Sequence, residues 1–336
     1  MISRRAFIKG VSACTLTAPF WGLPNVSADF NQLFSSREKC IPGWHRDVTC
    51  EWIEKKSFPF ADFFRNNSFV RSYDYPFLKD FNVVHHNLYE SPLSVKKLDG
   101  EVQLFILSAH LESIDDIEKV HLFEKSIHEA ELSLGFFSAP SGSTDIQSLL
   151  KDNSFIQKLD KIECGIVLLD TQAIINDAPR LPLYNSHDTN RDRVIQTAIA
   201  SIVEPVVSMN MISCDFSDLR ALLHPGKFFG LGIGFIDTSK ELNQEVEKAF
   251  QSICSQIKLK EHDGRLINSC WSNVCVNHQA TMDHYEATTV VVDHYCQDDG
   301  YYIPSFTIDD GLEGYLMQTC IMGLGDRSLL QVPARG

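Results

Sequence analysis

No apolar stretch in the sequence is long enough to cross a bilayer, which takes about 20 residues. The run from Gly10 to Leu23 is shorter, and Pro19 interrupts it. A permanent membrane span is therefore not expected. Positive charge is scarce as well: 30 Lys plus Arg stand against 44 Asp plus Glu, for a formal charge of −14. An electrostatic hold on nucleic acid or on an anionic membrane surface is not expected from such a chain. There is no C-x-x-C motif and no G-x-S-x-G elbow, so thiol-redox and serine-hydrolase readings have no support in sequence. Internal repeats and low-complexity tracts are absent too.

What is present is the balance of a globular protein. Hydrophobic residues make up 44%, charged residues 22% and aromatics 10%, which excludes disorder as the main state. At roughly 150 residues per domain, 336 residues predict two domains.

The chain opens with Ser3-Arg4-Arg5-Ala6-Phe7-Ile8-Lys9, a twin-arginine arrangement leading into the modest apolar run, with no acidic residue before Asp29. This pattern predicts a removable export signal. Val26-Ser27-Ala28 supplies the small residues a signal peptidase accepts, so residues 1–28 are read as the signal and Asp29 as the mature start. A lipoprotein reading at Cys14, and a basic start on a cytoplasmic protein, are the alternatives. The expected location is periplasmic, or exported by the twin-arginine route; the alternative is cytoplasmic.

Nine cysteines follow the signal, at 40, 50, 164, 214, 254, 270, 275, 296 and 320. The odd number and the scatter through apolar runs fit buried small hydrophobes better than a disulfide framework. Cys40/Cys50 and Cys270/Cys275 are the local pairs to test.

Residues 29–100 show little sustained periodicity. An alternating series follows: apolar runs at Val102–Leu107, Leu132–Phe137 and Gly165–Leu169, with helical patterns at Ile114–Ala130 and Asp145–Leu159. This order predicts a parallel α/β sheet. A long amphipathic helix is predicted from Asp188 to Val207, with Val194, Ile195, Ala198, Ile199, Ile202 and Val203 on one face. Beyond it, strands are predicted at Lys227–Ile236, Arg265–Trp271, Tyr301–Ile308 and Tyr315–Met322, and helices at Glu241–Ile257 and Met282–Val292. Two helices against four strands predict an α/β sandwich.

The stretch Ser213-Cys214-Asp215-Phe216-Ser217-Asp218-Leu219, followed by Gly230-Leu231-Gly232-Ile233-Gly234, resembles the start of the carboxy-terminal half of the FtsZ family, the bacterial tubulin relatives. Thr307-Ile308-Asp309-Asp310-Gly311-Leu312-Glu313-Gly314 and Thr319-Cys320-Ile321-Met322-Gly323 are similar to that family's I-D-x-x-L-G-D-E turn and closing A-T-G strand. The resemblance covers roughly Val102 to Leu324. It implies a tubulin/FtsZ-like α/β fold: a parallel-sheet nucleotide-domain remnant joined by a core helix to a C-terminal two-layer sandwich. The implied layout is residues 29–187 for the degenerate GTPase domain, 188–212 for the core helix and connection, 213–325 for the sandwich and 326–336 for a tail.

The family hydrolyses GTP between stacked subunits, using two carboxylates after the core helix to orient water and cation, as phosphoryl transfer requires. Asp215 and Asp218 match those positions, whereas the family's preceding Asn is Ser213 here. The phosphate loop G-G-G-T-G-T-G falls on Leu111-Glu112-Ser113-Ile114-Asp115-Asp116-Ile117, without a glycine and with three carboxylates. Glycines let backbone N–H groups close around phosphate oxygens, and carboxylates repel a triphosphate. The guanine-binding carboxylate of the core helix falls at Arg193, with Asp192 one residue away.

The expectation is a non-catalytic FtsZ-like protein, exported folded, that has lost GTP binding and works by contact with a protein partner or by self-association. No cofactor is then expected. The alternative is a cytoplasmic GTPase that polymerises, with GTP and Mg as cofactors and Asp215 and Asp218 catalytic. Those two residues equally suit a helix N-cap and first turn. Gly230, Gly232 and Gly234 alternate along a strand and suggest close strand–helix packing. His278, His284 and His294 with Asp283 and Asp293 invite a metal reading, against which their spacing puts the histidines on different sides of a helix. His85 and His86 lack a partner motif.

Overall fold

The computed structural model describes residues 69–75, 78–89, 102–139, 153–159, 161–177, 181, 189–207, 212, 214–223, 228–257, 267–277, 280–308, 312 and 314–323. Residues 1–28, read above as an export signal, and Cys40, Cys50, Ser213, His278 and residues 309–311 lie outside the described residues.

A nine-stranded mixed sheet runs through the molecule. Strands β1 (Phe69–Tyr75) and β2 (Leu78–Asn87) pair antiparallel. From β2 the sheet continues in parallel through β3 (Val102–His110), β4 (Ala130–Ser138) and β5 (Gly165–Leu169) to β6 (Phe228–Asp237). Next to β6 lies β9 (Tyr315–Gly323), antiparallel, then β7 (Ile267–Val276) and at the edge β8 (Cys296–Ile308).

The stretch Ile114–Ala130 corrects the sequence expectation of one helix. Ile114–Phe123 is a 3-10 helix, α1 is only Glu124–Glu129, and Ala130 already opens β4. The reason is spacing: Ile114, Ile117, Val120 and Phe123 recur every three residues, the period of a 3-10 helix, in which i and i+3 eclipse. The last three are buried, and Ile114 packs against the same cluster. Helices α2 (Asn153–Leu159) and α3 (Thr171–Asp177) flank β5 in sequence.

The core helix α4 spans Asn190–Val207. It touches β4, β7 and β8, which explains why its middle is buried all round, from Val194 to Val203. Trp271 of β7, wholly buried, donates its indole N–H to the Ser201 carbonyl at 3.0 Å. With the short helix α5 (Phe216–Leu222), α4 fills the main core against one face of both halves of the sheet. Helices α6 (Leu242–Ile257) and α7 (Met282–Tyr295) cover the other face of β6–β9.

The four carboxy-terminal strands continue the parallel sheet directly, because β5 pairs with β6 from Ile166↔Phe228 to Leu169↔Leu231. Past that point Gln256 of α6 takes over. Its amide accepts the Ile233 N–H at 2.8 Å and donates to the Ile233 carbonyl at 3.0 Å, satisfying backbone groups that burial would otherwise leave unpaired. Helix α6 can approach this closely because of glycine. A Cβ on Gly232 would lie 2.8 Å from the Ile253 carbonyl oxygen, and one on Gly234 would lie 2.6 Å from that of Ala249. Strand–helix packing therefore accounts for both glycines. Among the described residues no helix is long and apolar enough to cross a membrane.

Candidate functional site

Ligands of open α/β sheets sit outside the carboxyl ends of parallel strands, and that rim carries the first candidate region. At the end of β3 the chain turns into the 3-10 helix through Leu111–Ile117. Leu111 is buried, its N–H bonded to the Ser138 carbonyl at 3.3 Å. Ser113 is the N-cap, in extended conformation, and forms a reciprocal capping box with Asp116.

Asp116 does more than close that box. Its Oδ2 accepts the N–H of Glu112 at 3.0 Å and that of Ser113 at 2.8 Å. The Tyr89 hydroxyl lies 3.0 Å from the same oxygen, and Lys119 Nζ lies 2.7 Å from Oδ1. Tyr89 also accepts the Glu112 N–H at 3.0 Å, while Lys119 sits over its ring, 4.4 Å from the centroid. The hydrogen bond from Lys119, then those from Ser113 and Tyr89, hold the Asp116 carboxyl down at about 2. Burial and the adjacent carboxylates push Tyr89 up to about 12. Asp115 is paired with Lys158, which also reaches Glu118 at 3.0 Å.

Beside this turn, a polar chain joins strand ends to the core helix. His110 Nδ1 is 2.7 Å from Ser138 Oγ, and His110 Nε2 is 3.3 Å from Asp192 Oδ1. Thr189 caps α4: its N–H and Oγ1 both donate to Asp192 Oδ2, at 2.9 and 2.5 Å. His110 and then Thr189 draw the Asp192 carboxyl well below the usual range. Serine, histidine and aspartate here have the membership of a nucleophilic relay. The geometry is that of a clasp instead, since Ser138 is 1% exposed and the Ala139 N–H is committed to the Leu169 carbonyl at 3.4 Å. Asp192 thus ties α4 to the strand rim; Arg193 beside it is half-buried. Sequence reasoning missed this trio, because its members are far apart in the chain and no local motif marks them.

The second candidate region is the turn opening α5. Asp215 is the N-cap, accepting the Asp218 N–H at 2.8 Å, and Asp218 accepts the Asp215 N–H at 3.3 Å, a second capping box. Ser217 Oγ donates to Asp215 Oδ1 at 2.6 Å. Asp215 is exposed and Asp218 only 8% exposed. The structure thus brings Asp215 and Asp218 together in the N-cap and first-turn roles that their spacing allowed.

Of the histidines in the metal reading, His278 lies outside the described residues and His284 has a local role. His284 Nδ1 accepts the Thr281 N–H at 3.1 Å, capping α7. Among the described residues no group of three His, Cys, Asp or Glu is arranged to hold a metal ion. His85 Nε2 lies 2.7 Å from Ser108 Oγ, and burial lowers its pKa to about 3. The two cysteines of the local pair to test, Cys270/Cys275, are not joined: five residues apart on β7, they face opposite sides of the sheet and belong to different core clusters, as the two-residue period of a strand requires.

No protein-family model matches the chain. In sequence it is similar to cell division protein FtsZ 1 of Pyrococcus horikoshii, 22% identical over 135 residues, covering 40% of this chain and 36% of that protein. It is 24% identical over 173 residues to FtsZ of Methanothermobacter thermautotrophicus, covering 52% and 44%. The matches therefore span less than half the length of these relatives. Among solved structures, an FtsZ variant from M. jannaschii superposes with a TM-score of 0.52 at 18% identity, covering 68% of this chain and 67% of the other. The empty FtsZ dimer of M. jannaschii gives 0.51 at 17%, with the same coverage. The fold is that of the FtsZ/tubulin class. In sequence the chain is similar to the FtsZ proteins over part of their length.

Proposed function

We propose that this is an exported FtsZ-like protein that has lost GTP binding and acts through a protein partner or self-association. The observation carrying the reading is Asp116. Backbone N–H groups at a strand-to-helix turn are where an anion is received, and here the N–H groups of Glu112 and Ser113 are given to a carboxylate of the chain itself. The same turn carries Glu112, and the 3-10 helix carries Asp115 and Glu118, both paired with Lys158. N–H groups so committed to a carboxylate of the chain do not suit a triphosphate. Self-association is supported by the fold shared with a protein solved as a dimer, and the chain's similarity to cell division proteins makes a division-related partner the natural class to look for. Export rests on the twin-arginine start.

The test is thermal unfolding of residues 29–336 with and without millimolar magnesium-GTP. Ligand at 100 times its dissociation constant adds about 2.7 kcal/mol, so an unmoved cooperative melt is expected. A GTP-specific rise would overturn the reading and put the cytoplasmic GTPase first, with Asp215 and Asp218 as its carboxylates. Sedimentation across a concentration series tests self-association, and amino-terminal sequencing of the periplasmic chain, expected to begin at Asp29, tests export.

A further inference from the structure

One face of the core helix carries polar groups to which the fold gives no partner. Residues three and four apart share a helix face, which puts Arg193, Gln196 and Thr197 together, opposite the apolar side of Ile195, Ala198 and Ile202. Gln196 is 8% exposed and Thr197 1%, with Arg193 half-buried. Among the described residues, Arg193 Nε, Gln196 Oε1 and Thr197 Oγ1 are buried with no hydrogen-bond partner. Orphaned atoms of this kind are rare in folded proteins, and each calls for water or a ligand. Arg193 adds a charge near the amino-terminal end of α4, which already bears partial positive charge. The Asp192 carboxylate beside it is engaged by His110 and Thr189. This stretch of α4 stands at the carboxyl ends of the parallel strands: Asp192 reaches His110 at the end of β3, and Arg191 Nη2 donates to the Ala139 carbonyl just past β4 at 3.3 Å. That rim is where open α/β sheets receive ligands.

We propose that this face of α4 binds a small carboxylate that carries an adjacent hydroxyl or amino group. The planar guanidinium of Arg193 donates to carboxylate oxygens. Thr197 Oγ1 donates to one of the same oxygens, and Gln196 Oε1 accepts the O–H or N–H of the ligand. Each orphaned atom then has the partner its chemistry requires, since guanidinium and hydroxyl donate and an amide oxygen accepts. A bare anion would leave Gln196 Oε1 unmatched, and a neutral amide would leave the guanidinium without a counter-charge. The ligand therefore needs both features, and its charge is also favoured by the helix dipole. A guanidinium is the reverse of the carboxylate that the FtsZ family turns toward guanine, so the N–H edge of a purine is not the group received here. The inference goes beyond the loss of GTP binding and rests on neither export nor self-association.

The experiment measures the dissociation constants of glycolate, acetate and glycolamide for the native full chain by ligand-observed NMR. Glycolate has the charge and the hydroxyl, acetate the charge alone, and glycolamide the hydroxyl alone. Glycolate should bind most tightly, acetate about fivefold more weakly for the one lost hydrogen bond, and glycolamide most weakly of the three. Arg193→Met should abolish glycolate binding, and Gln196→Leu should bring glycolate down to the acetate value, both variants still melting cooperatively. The proposal is overturned if glycolate does not bind at millimolar concentration, the result expected were ordered water alone to satisfy these groups. It is equally overturned if glycolamide binds as well as glycolate, or if Arg193→Met leaves the glycolate constant unchanged. Should either variant not fold, the order of the three probes on the unaltered chain decides.

Discussion

In the turn after β3, Ser113 and Asp116 cap a 3-10 helix; in the turn before α5, Asp215 and Asp218 cap an α-helix by the same reciprocal bonds. The two differ in what else reaches the carboxylate. Asp116 gathers Tyr89 from the end of β2, Lys119 from the next turn and a further N–H from Glu112. Asp215 takes a hydroxyl from Ser217 inside its own turn, and Asp218 is buried against the main core. A capping box is thus a helix start in one place and, where neighbouring segments fold onto it, a filled anion seat in the other. Identical local chemistry becomes different surface chemistry through tertiary context.

The largest expected effect lies outside both turns and sets their scale. Gly234→Val would drive a side chain into the Ala249 carbonyl, which already lies 2.6 Å from the Cβ position. Since the obstacle is helix backbone, a loss of about 3 kcal/mol is expected in chemical denaturation. The turns themselves come next. Asp116→Ala removes the acceptor of two N–H groups, the tyrosine and the lysine, and should cost about 2 kcal/mol; Asp215→Ala removes a cap alone and should cost about 1 kcal/mol. Equal losses would mean that the extra donors on Asp116 add nothing, and the distinction between the turns would collapse.

How much of this was legible in sequence follows the same division between local and tertiary causes. Strands β3 to β9 stand out as short, mostly apolar runs and the core helix by its apolar residues at helical spacing, and the Asp215/Asp218 capping box because its spacing is local. Strand β2 does not stand out: Asn82, His85 and His86 are buried in it, with the Asn82 N–H donating to Gln103 Oε1 and His85 Nε2 lying 2.7 Å from Ser108 Oγ across the sheet. Helix α3 has seven residues, too few to display a period. The 3-10 helix was readable in principle from its three-residue spacing, which a 3.6-residue template absorbs. Neither the Tyr89–Asp116 contact nor the His110–Asp192 clasp has a local signal, since each joins residues that only the sheet order brings together. The cysteines teach the same lesson. Cys270 and Cys275 are near in sequence but on opposite faces, whereas strand pairing puts Cys270 and Cys320 on one face and in one core cluster.

The smallest effect concerns pH and separates the turns most cleanly. The folded state lowers Asp116 to about 2, against about 3.9 for an unfolded aspartate. A depressed carboxyl stabilises the fold above the unfolded value and loses that contribution as pH falls through the folded one. Asp116 should therefore contribute fully above about pH 4 and nothing below about pH 2. Lys119 is 43% exposed, so screening leaves about 1 kcal/mol of this electrostatic part at neutral pH, less in high salt. Comparing the parent with Asp116→Asn, which keeps the size of the side chain, the difference in melting temperature should shrink steadily from pH 4.5 to pH 2. A difference independent of pH over that window would assign the role of Asp116 to hydrogen-bond geometry, and the turn after β3 would then be a cap like the one before α5.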